Sequence, residues 1–130
     1  MFAFCTYCSH HKSSARGDLP AIRRYRSKRI ARVYRAARIV GARPLILSAE
    51  FGLLPPEQPI PWYDHLLEPG EIRLLAERAA DQLQQNHIIG VAYFTVALDR
   101  DPQVKPYQDV IVAACNRTAI PLLLMELPFD

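Results

Sequence analysis

Ionisable and aromatic residues follow a short apolar run so closely that residues 48–64 are where the sequence first points to chemistry. Gly52 can adopt a positive φ and let a ligand approach the backbone. Tyr63 can stack on a flat ring such as a nucleobase, and Asp64 can act as a general base or accept a hydrogen bond from a base or a sugar. We assign Asp64 to catalysis, and we assign to ligand binding Ser48, Glu50, Gly52 and Tyr63.

The same stretch has a plainer structural interpretation. The prolines between positions 55 and 61 stiffen the loop, and a stiff loop can simply cover a sheet edge. Trp62 would then pack in a small satellite core, and for Trp62 alone this is the interpretation we favour. For Tyr63 with Asp64 we favour a functional role, because a rigid loop lowers the ordering cost of binding.

A second polar segment, DPQVKPY at 101–107, precedes the last helical pattern. Lys105 stands just before Pro106, so the lysine and the free N–H groups of the first helical turn can hold a phosphate or a developing anion. Tyr107 can donate a hydrogen bond or stack. We assign Lys105 and Tyr107 to catalysis; the alternative is a solvated lysine beside a helix-starting proline.

Cysteine and histidine cluster in the segment CTYCSHHK at 5–12. Cys5 and Cys8 have CxxC spacing and two histidines follow them, but a structural zinc site needs four ligands in tetrahedral reach. Strand alternation also separates the two cysteines onto opposite faces. We therefore predict neither a metal nor a cofactor, and we assign Cys8, a candidate reactive thiol, and Ser9 to ligand binding.

Charge is distributed very unevenly along the chain. Residues 1–43 carry eleven Lys/Arg and one acid, whereas residues 44–130 carry five and twelve, which gives +10 and −7 and a net +3. Eight of the basic residues lie within 23–38. This pattern favours a nucleic-acid or other polyanionic partner. The residues of the basic face are Arg24, Lys28, Arg32 and Arg35.

The basic segment has alternatives to nucleic-acid binding. It can be a solvated helix face balanced by the acids of the second half. It can also dock an acidic protein surface, including the second half of another copy of this chain in a homo-oligomer.

The elements that must position these residues are read from hydrophobic periodicity. Unbroken apolar runs at 2–7, 44–50, 88–98 and 120–127 are typical of strands buried on both faces of a parallel sheet. Apolar stripes at helical spacing lie between the runs, the first of them ending at Gly41. The sequence therefore predicts a three-layer α/β domain in β-α-β-α-β-α-β order, with a mostly parallel four-stranded sheet and helices on both faces.

Ligands of such sheets bind beyond the carboxyl ends of the strands, and the three polar segments each follow a predicted strand. The chain length suits one domain over residues 1–130. We find no apolar run of transmembrane length and no signal-peptide pattern at the N-terminus, and the count of three cysteines is odd. We therefore expect a cytoplasmic protein without a membrane partner.

The run ILSAEFGLLPPEQPIPWYD resembles the signature of a family of small uncharacterised bacterial α/β domains. In that family a strand and a Cys-Ser turn precede an LSAKYGLL-like segment and then a PYD-like one. Residues 8–9, 47–54 and 63–64 match in that order, over about the first two-thirds of the chain. Glu50 stands where the family usually has a lysine, and Trp62 where it usually has a proline.

The pattern is more distantly similar to the SGxYGLL…PYxL pattern of the peroxide-stress protein YaaA family. In addition, KPY at 105–107 resembles part of the lysine-containing motif of archaeosine synthase, a tRNA base-modifying enzyme. These resemblances imply an α/β fold, a site built from the matching segments, and chemistry on a nucleobase, a nucleotide or a nucleic acid.

Overall fold

The computed structural model describes residues 1–128. Its strands are β1 (Phe2–Tyr7), β2 (Leu19–Pro20), β3 (Arg43–Ser48), β4 (Gly52–Leu54), β5 (Pro59–Ile60), β6 (Gly90–Val96) and β7 (Leu122–Leu127). Its α-helices are α1 (Ala21–Arg24), α2 (Lys28–Val40), α3 (Ile72–Gln85) and α4 (Lys105–Thr118). Short 3₁₀ turns at Pro69–Glu71 and Pro102–Val104 lead into α3 and α4.

The central sheet has five strands in the order β4-β3-β1-β6-β7. Strands β3, β1, β6 and β7 run parallel, as the apolar runs predicted, and β4 is antiparallel to β3. The mostly parallel α/β architecture is therefore confirmed. The predicted four-stranded sheet is wrong by one strand, because the three-residue β4 folds back on β3 as a hairpin in which Ser48 pairs with Gly52.

The simple alternation of strands and helices is also incomplete. The loop after β1 and the loop after β4 each contribute a two-residue strand, and β2 and β5 pair antiparallel, with Leu19 opposite Ile60. The short helix α1 follows β2 directly. These elements tie together two long loops that the sequence pattern left irregular.

Successive residues of β1 face different helices. Phe4 and Thr6 share a small cavity with Ile30 and Val33 of α2. The thiol of Cys5 is on the other face, where burial and then the nearby Cys115 of α4 raise its pKa. Since α3 packs against α4, α2 covers one face of the sheet and the α3–α4 pair covers the other.

The strand order places a topological switch between β1 and β6. The chain leaves β1 through α2 towards β3, whereas it leaves the neighbouring β6 through α4 towards β7. The loops that follow the two strands therefore part in opposite directions and leave a crevice between them. In open α/β sheets this crevice is the usual place for a ligand.

Helix α2 begins and ends as its sequence indicates. The Ser27 side chain accepts a hydrogen bond from the backbone N–H of Ile30, and Gly41 closes the helix at φ 76°. Among the described residues, no helix is long and apolar enough to cross a membrane.

Candidate functional site

A cavity of about 110 Å³ lies at the switch point, beyond the carboxyl ends of β1 and β6. Three chain segments line most of it: the start of the loop after β1, residues 64–66, and residues 101–104 after β6. Tyr7, Arg29 and Tyr107 complete the lining. The cavity brings together four residues assigned from the sequence, which are Cys8, Ser9, Asp64 and Tyr107.

Cys8 and Tyr107 meet across the crevice. The Cys8 Sγ atom lies 3.8 Å from the Tyr107 hydroxyl oxygen, which also accepts a hydrogen bond from the backbone N–H of Leu67 at 3.2 Å. Burial, and then the neighbouring Cys8, raise the pKa of Tyr107, so its hydroxyl stays protonated at neutral pH. The backbone of Cys8 is fixed as well, since its N–H donates to the Leu47 carbonyl at 2.8 Å.

Arg29 places a buried cation at the cavity. Its guanidinium donates to the Thr6 hydroxyl at 2.5 Å and to the Tyr7 carbonyl at 2.6 Å, and it stands 3.5 Å from the centre of the Tyr7 ring. The role of Arg29 at the cavity was not predicted from the sequence, where it is one of the eight basic residues of 23–38. The available signal was its spacing four residues before Val33, which places it on the inner face of α2.

Tyr63 supports a loop and does not line the cavity. Its hydroxyl lies 2.5 Å from that of Tyr25 and 2.9 Å from Ser48 Oγ, and its ring stands edge-on to Phe51. Ser48, which is fully buried, also accepts the backbone N–H groups of Glu50 and Phe51 at 3.1 Å. Tyr63 and Ser48, both assigned to ligand binding from the sequence, therefore hold the backbone around the site.

Lys12 lines the cavity, although its role there was not predicted from the sequence. Its Nζ atom lies 4.6 Å from the centre of the Tyr63 ring and donates to the His10 carbonyl at 3.3 Å. Lys12 thus joins the loop after β1 to the segment that contains Asp64. The position of a lysine in an irregular loop carries no periodic signal, so only the folded path of the loop reveals it.

His65 lines the cavity and is held between two carboxylates. Its Nδ1 atom is 3.0 Å from Glu50 Oε1 and its Nε2 atom is 2.7 Å from Glu71 Oε2. Burial lowers the pKa of His65, but the hydrogen bonds to Glu50 and Glu71 outweigh it and the net shift is upward. The Glu71 pKa is lowered, first by the backbone N–H of Glu68 and then by His65.

Three further residues assigned to the site also lie outside the cavity lining. Lys105 is exposed and its Nζ atom is 2.8 Å from Asp109 Oδ2 on the same helix. Glu50 contacts His65, which does line the cavity. Gly52 adopts φ 73° in the β3–β4 hairpin, and a Cβ atom there would collide with the side chain of Gln82. Gly52 therefore serves a turn and a close contact.

The basic segment divides into buried and exposed residues. Arg24 lies in α1 and is fully buried, so its guanidinium is not on the surface where we expected it. Lys28, Arg32 and Arg35 are exposed on α2. All four were expected on one helix face, and that expectation is wrong because the chain leaves α1 and turns at 25–27 before α2 begins.

The cysteine and histidine cluster offers no metal cage in the described part of the chain, where no group of three His, Cys, Asp or Glu side chains is close enough to hold an ion. Cys5 and Cys8 are both buried free thiols. Trp62 is not in a satellite core, because 56% of it is exposed.

Comparison with known proteins found no matching family model, no matching curated protein and no matching solved structure. The resemblance to the small bacterial α/β family and its distant relatives therefore stays a prediction.

Proposed function

We propose that the protein binds a nucleotide whose base or sugar enters the cavity at the switch point. The observation that carries this proposal is the convergence of the loops after β1 and β6 with residues 64–66 around one cavity. Such a crevice is where α/β folds of this topology bind nucleotides.

The groups around the cavity suit the parts of a nucleotide. Lys12 and Arg29 supply positive charge for a phosphate. Asp64 and Gln103 offer an acceptor and an amide for the edge of a base or for ribose hydroxyls. Asp64 is exposed and lines the cavity, so it can meet a ligand without the cost of burying a free carboxylate.

The size of the cavity limits what enters it. Its volume of about 110 Å³ is well below the roughly 300–1,000 Å³ of sites that enclose a whole small molecule. A single ring or sugar fits, and the rest of the ligand stays outside. The site is therefore suited to a mononucleotide held by one end, or to one unit of a longer chain.

Calorimetric titration with the four ribonucleoside monophosphates and their nucleosides tests this proposal. We expect at least one of them to bind, and Asp64→Asn to weaken that binding by about tenfold, since a hydrogen bond to a charged group contributes about 1.5–3 kcal/mol. Asp81→Asn, which changes an exposed aspartate on α3, is the matched control and leaves binding unchanged. The proposal fails if no nucleotide or nucleoside binds at millimolar concentration, or if Asp64→Asn binds as the wild type does.

A second candidate function is non-catalytic nucleic-acid binding by α2. It is favoured by one observation, that Lys28, Arg32 and Arg35 are exposed on a helix whose sequence KRIARVYRAARIV contains no acid. Anisotropy of labelled tRNA, single-stranded DNA and duplex DNA at two salt concentrations tests it. Glutamate at these three positions would abolish binding and reduce the salt dependence, whereas Asp64→Asn would have no effect.

A lack of binding to all three nucleic acids at low salt would argue against that second candidate. Sedimentation would then test the remaining alternative, in which α2 docks an acidic surface of a second copy. A salt-insensitive monomer would argue against such docking.

A further inference from the structure

A second concavity lies beside the cavity at the switch point, along the same pair of loops. The loop after β1 lines the first cavity with residues 8–10 and Lys12, and the second concavity with residues 14–18. The segment after β5 lines the second concavity with residues 61–62 and the first cavity with residues 64–66. The same two chain segments therefore line both sites, which lie next to each other along them.

An aromatic ring is exposed in the second concavity. Trp62 is 56% exposed. Arg16 and Asp18, from the loop after β1, line the same concavity. An exposed indole offers a face on which any base can stack, and an arginine beside it can meet a phosphate. This combination of groups suits a nucleotide better than it suits an apolar ligand.

A buried arginine fixes the loop that lines the second concavity together with Trp62. The Arg24 guanidinium donates to the carbonyl oxygens of Ser13 at 2.8 Å, Ala15 at 3.0 Å and Gly17 at 2.5 Å. It also reaches the Ile60 carbonyl at 3.2 Å, two residues before Trp62. The loop and the Trp62 segment are thus fixed to one another, and a preorganised concavity pays less ordering entropy on binding.

Lys12 stands at the boundary between the two sites. Its Nζ atom lies over the ring of Tyr63 at 4.6 Å, and Tyr63 is the residue between Trp62 and Asp64. A phosphate that linked a unit in the first cavity to a unit on Trp62 would pass this ammonium group.

We propose that Trp62, with Arg16, forms a second base-binding subsite, and that the protein recognises two adjacent nucleotides of a single-stranded nucleic acid. The first base enters the cavity beside Asp64, the linking phosphate meets Lys12, and the second base stacks on Trp62. This inference rests on the proposed nucleotide-binding function. A single strand is required because both sites take individual bases, which are stacked and paired in a duplex.

Trp62 is the one tryptophan of the chain, so its fluorescence reports the second subsite directly. Titrations with UMP, with the dinucleotide UpU, with a ten-residue oligouridylate and with a ten-base-pair duplex separate the two sites. We expect UMP to bind without changing the fluorescence. UpU and the oligouridylate should quench Trp62. They should also bind at least about tenfold more tightly than UMP, because a second base stacks on the indole.

Variants assign the gain to the indole. Trp62→Ala should reduce UpU affinity, measured by calorimetry, to that of UMP and leave UMP binding unchanged, while Trp62→Phe should retain part of the gain. Leu74→Ala, which removes another exposed apolar side chain, is the control and should change neither ligand. Arg16→Ala should weaken UpU binding and not UMP binding.

The outcomes distinguish this inference from the function on which it rests. If UMP binds but UpU binds no more tightly and leaves Trp62 unquenched, the second subsite is wrong and the nucleotide cavity stands. If none of the uridine ligands binds, and none of the four ribonucleotides or their nucleosides binds either, both proposals fail. If UpU quenches Trp62 while Asp64→Asn has no effect on its affinity, the first base does not use the cavity and the paired arrangement is wrong.

Discussion

Cys8 and Tyr107 are 99 positions apart in the sequence, yet the Cys8 Sγ atom lies 3.8 Å from the Tyr107 hydroxyl. The contact joins the carboxyl end of β1 to the first turn of α4. It therefore spans the point where the chain leaves β1 and β6 in opposite directions. The same hydroxyl accepts the N–H of Leu67, so one phenol holds three segments that line or flank the cavity.

Removal of that hydroxyl should destabilise the protein. In Tyr107→Phe the ring remains but the buried N–H of Leu67 loses its acceptor, which costs about 1–3 kcal/mol. Urea denaturation measures the change. Tyr34→Phe, which removes a hydroxyl bonded to Arg38 at the surface, is the control and should stay within about 0.5 kcal/mol of the wild type. Equal stability of the two variants would contradict the role given to Tyr107.

Loss of the Arg24 side chain should be among the most damaging single changes. Arg24→Met leaves four backbone carbonyls without this donor, and we expect a loss of about 3 kcal/mol or more. Arg24→Lys should not restore stability, since an ammonium lacks the planar fork of donors. Thermal unfolding measures these losses, and Arg23→Met, at the exposed neighbouring position, is the control that should be nearly neutral.

The His65 contacts should make stability depend on pH in a predictable direction. The folded pKa of His65 is raised above its usual 6.5, so its stabilising effect is fully present below about pH 6.5 and is lost as the pH rises through the raised value. The lowered pKa of Glu71 acts at the other end, where stability is lost as the pH falls through that pKa. Wild type and His65→Gln should therefore differ most near pH 5–6 and converge in the alkaline range. A difference that grew with rising pH would contradict this.

Substitutions of Gly41 and Gly52, two of the glycines with positive φ, should differ in cost. Gly52→Ala and Gly41→Ala both place a Cβ atom on a left-handed backbone, at φ 73° and 76°, which costs about 1–2 kcal/mol. Only at Gly52 does the added atom also meet Gln82, whose side chain accepts the Leu53 N–H at 2.7 Å. Chemical denaturation should show Gly52→Ala to be clearly the less stable variant, and equal losses would rule out the close contact.

Lys105→Ala should have little effect on ligand binding, although the sequence suggested a catalytic role. The lysine is paired with Asp109 at the surface, and an exposed pair of this kind contributes about 0.3–0.5 kcal/mol. Calorimetry with a bound nucleotide checks the expectation. A tenfold loss of affinity would contradict it and show that Lys105 contributes to ligand binding.

The parallel sheet, the helices and the location of the cavity were predictable because they follow from local patterns. Unbroken apolar runs indicate buried parallel strands, and the polar segments after them meet at one sheet edge. The β3–β4 hairpin was missed because three residues, GLL, are too few to show a period.

The partners of individual side chains were far less predictable. Lys105 and Tyr107 are two positions apart, yet one turns to solvent and the other into the cavity. Arg24 and Lys28 have helical spacing, but Ser27 caps a new helix between them, so their side chains go to different places. Spacing places residues on one face only where the element is continuous.

The bonds of Arg24 have a consequence for how the protein holds its loops together. Extracellular proteins of this size often join distant loops with a disulfide, whereas all three cysteines here are free. One guanidinium instead links residues 13–17 to residue 60. This crosslink is insensitive to reducing agents, forms without an oxidant, and can open and close each time the chain unfolds and refolds.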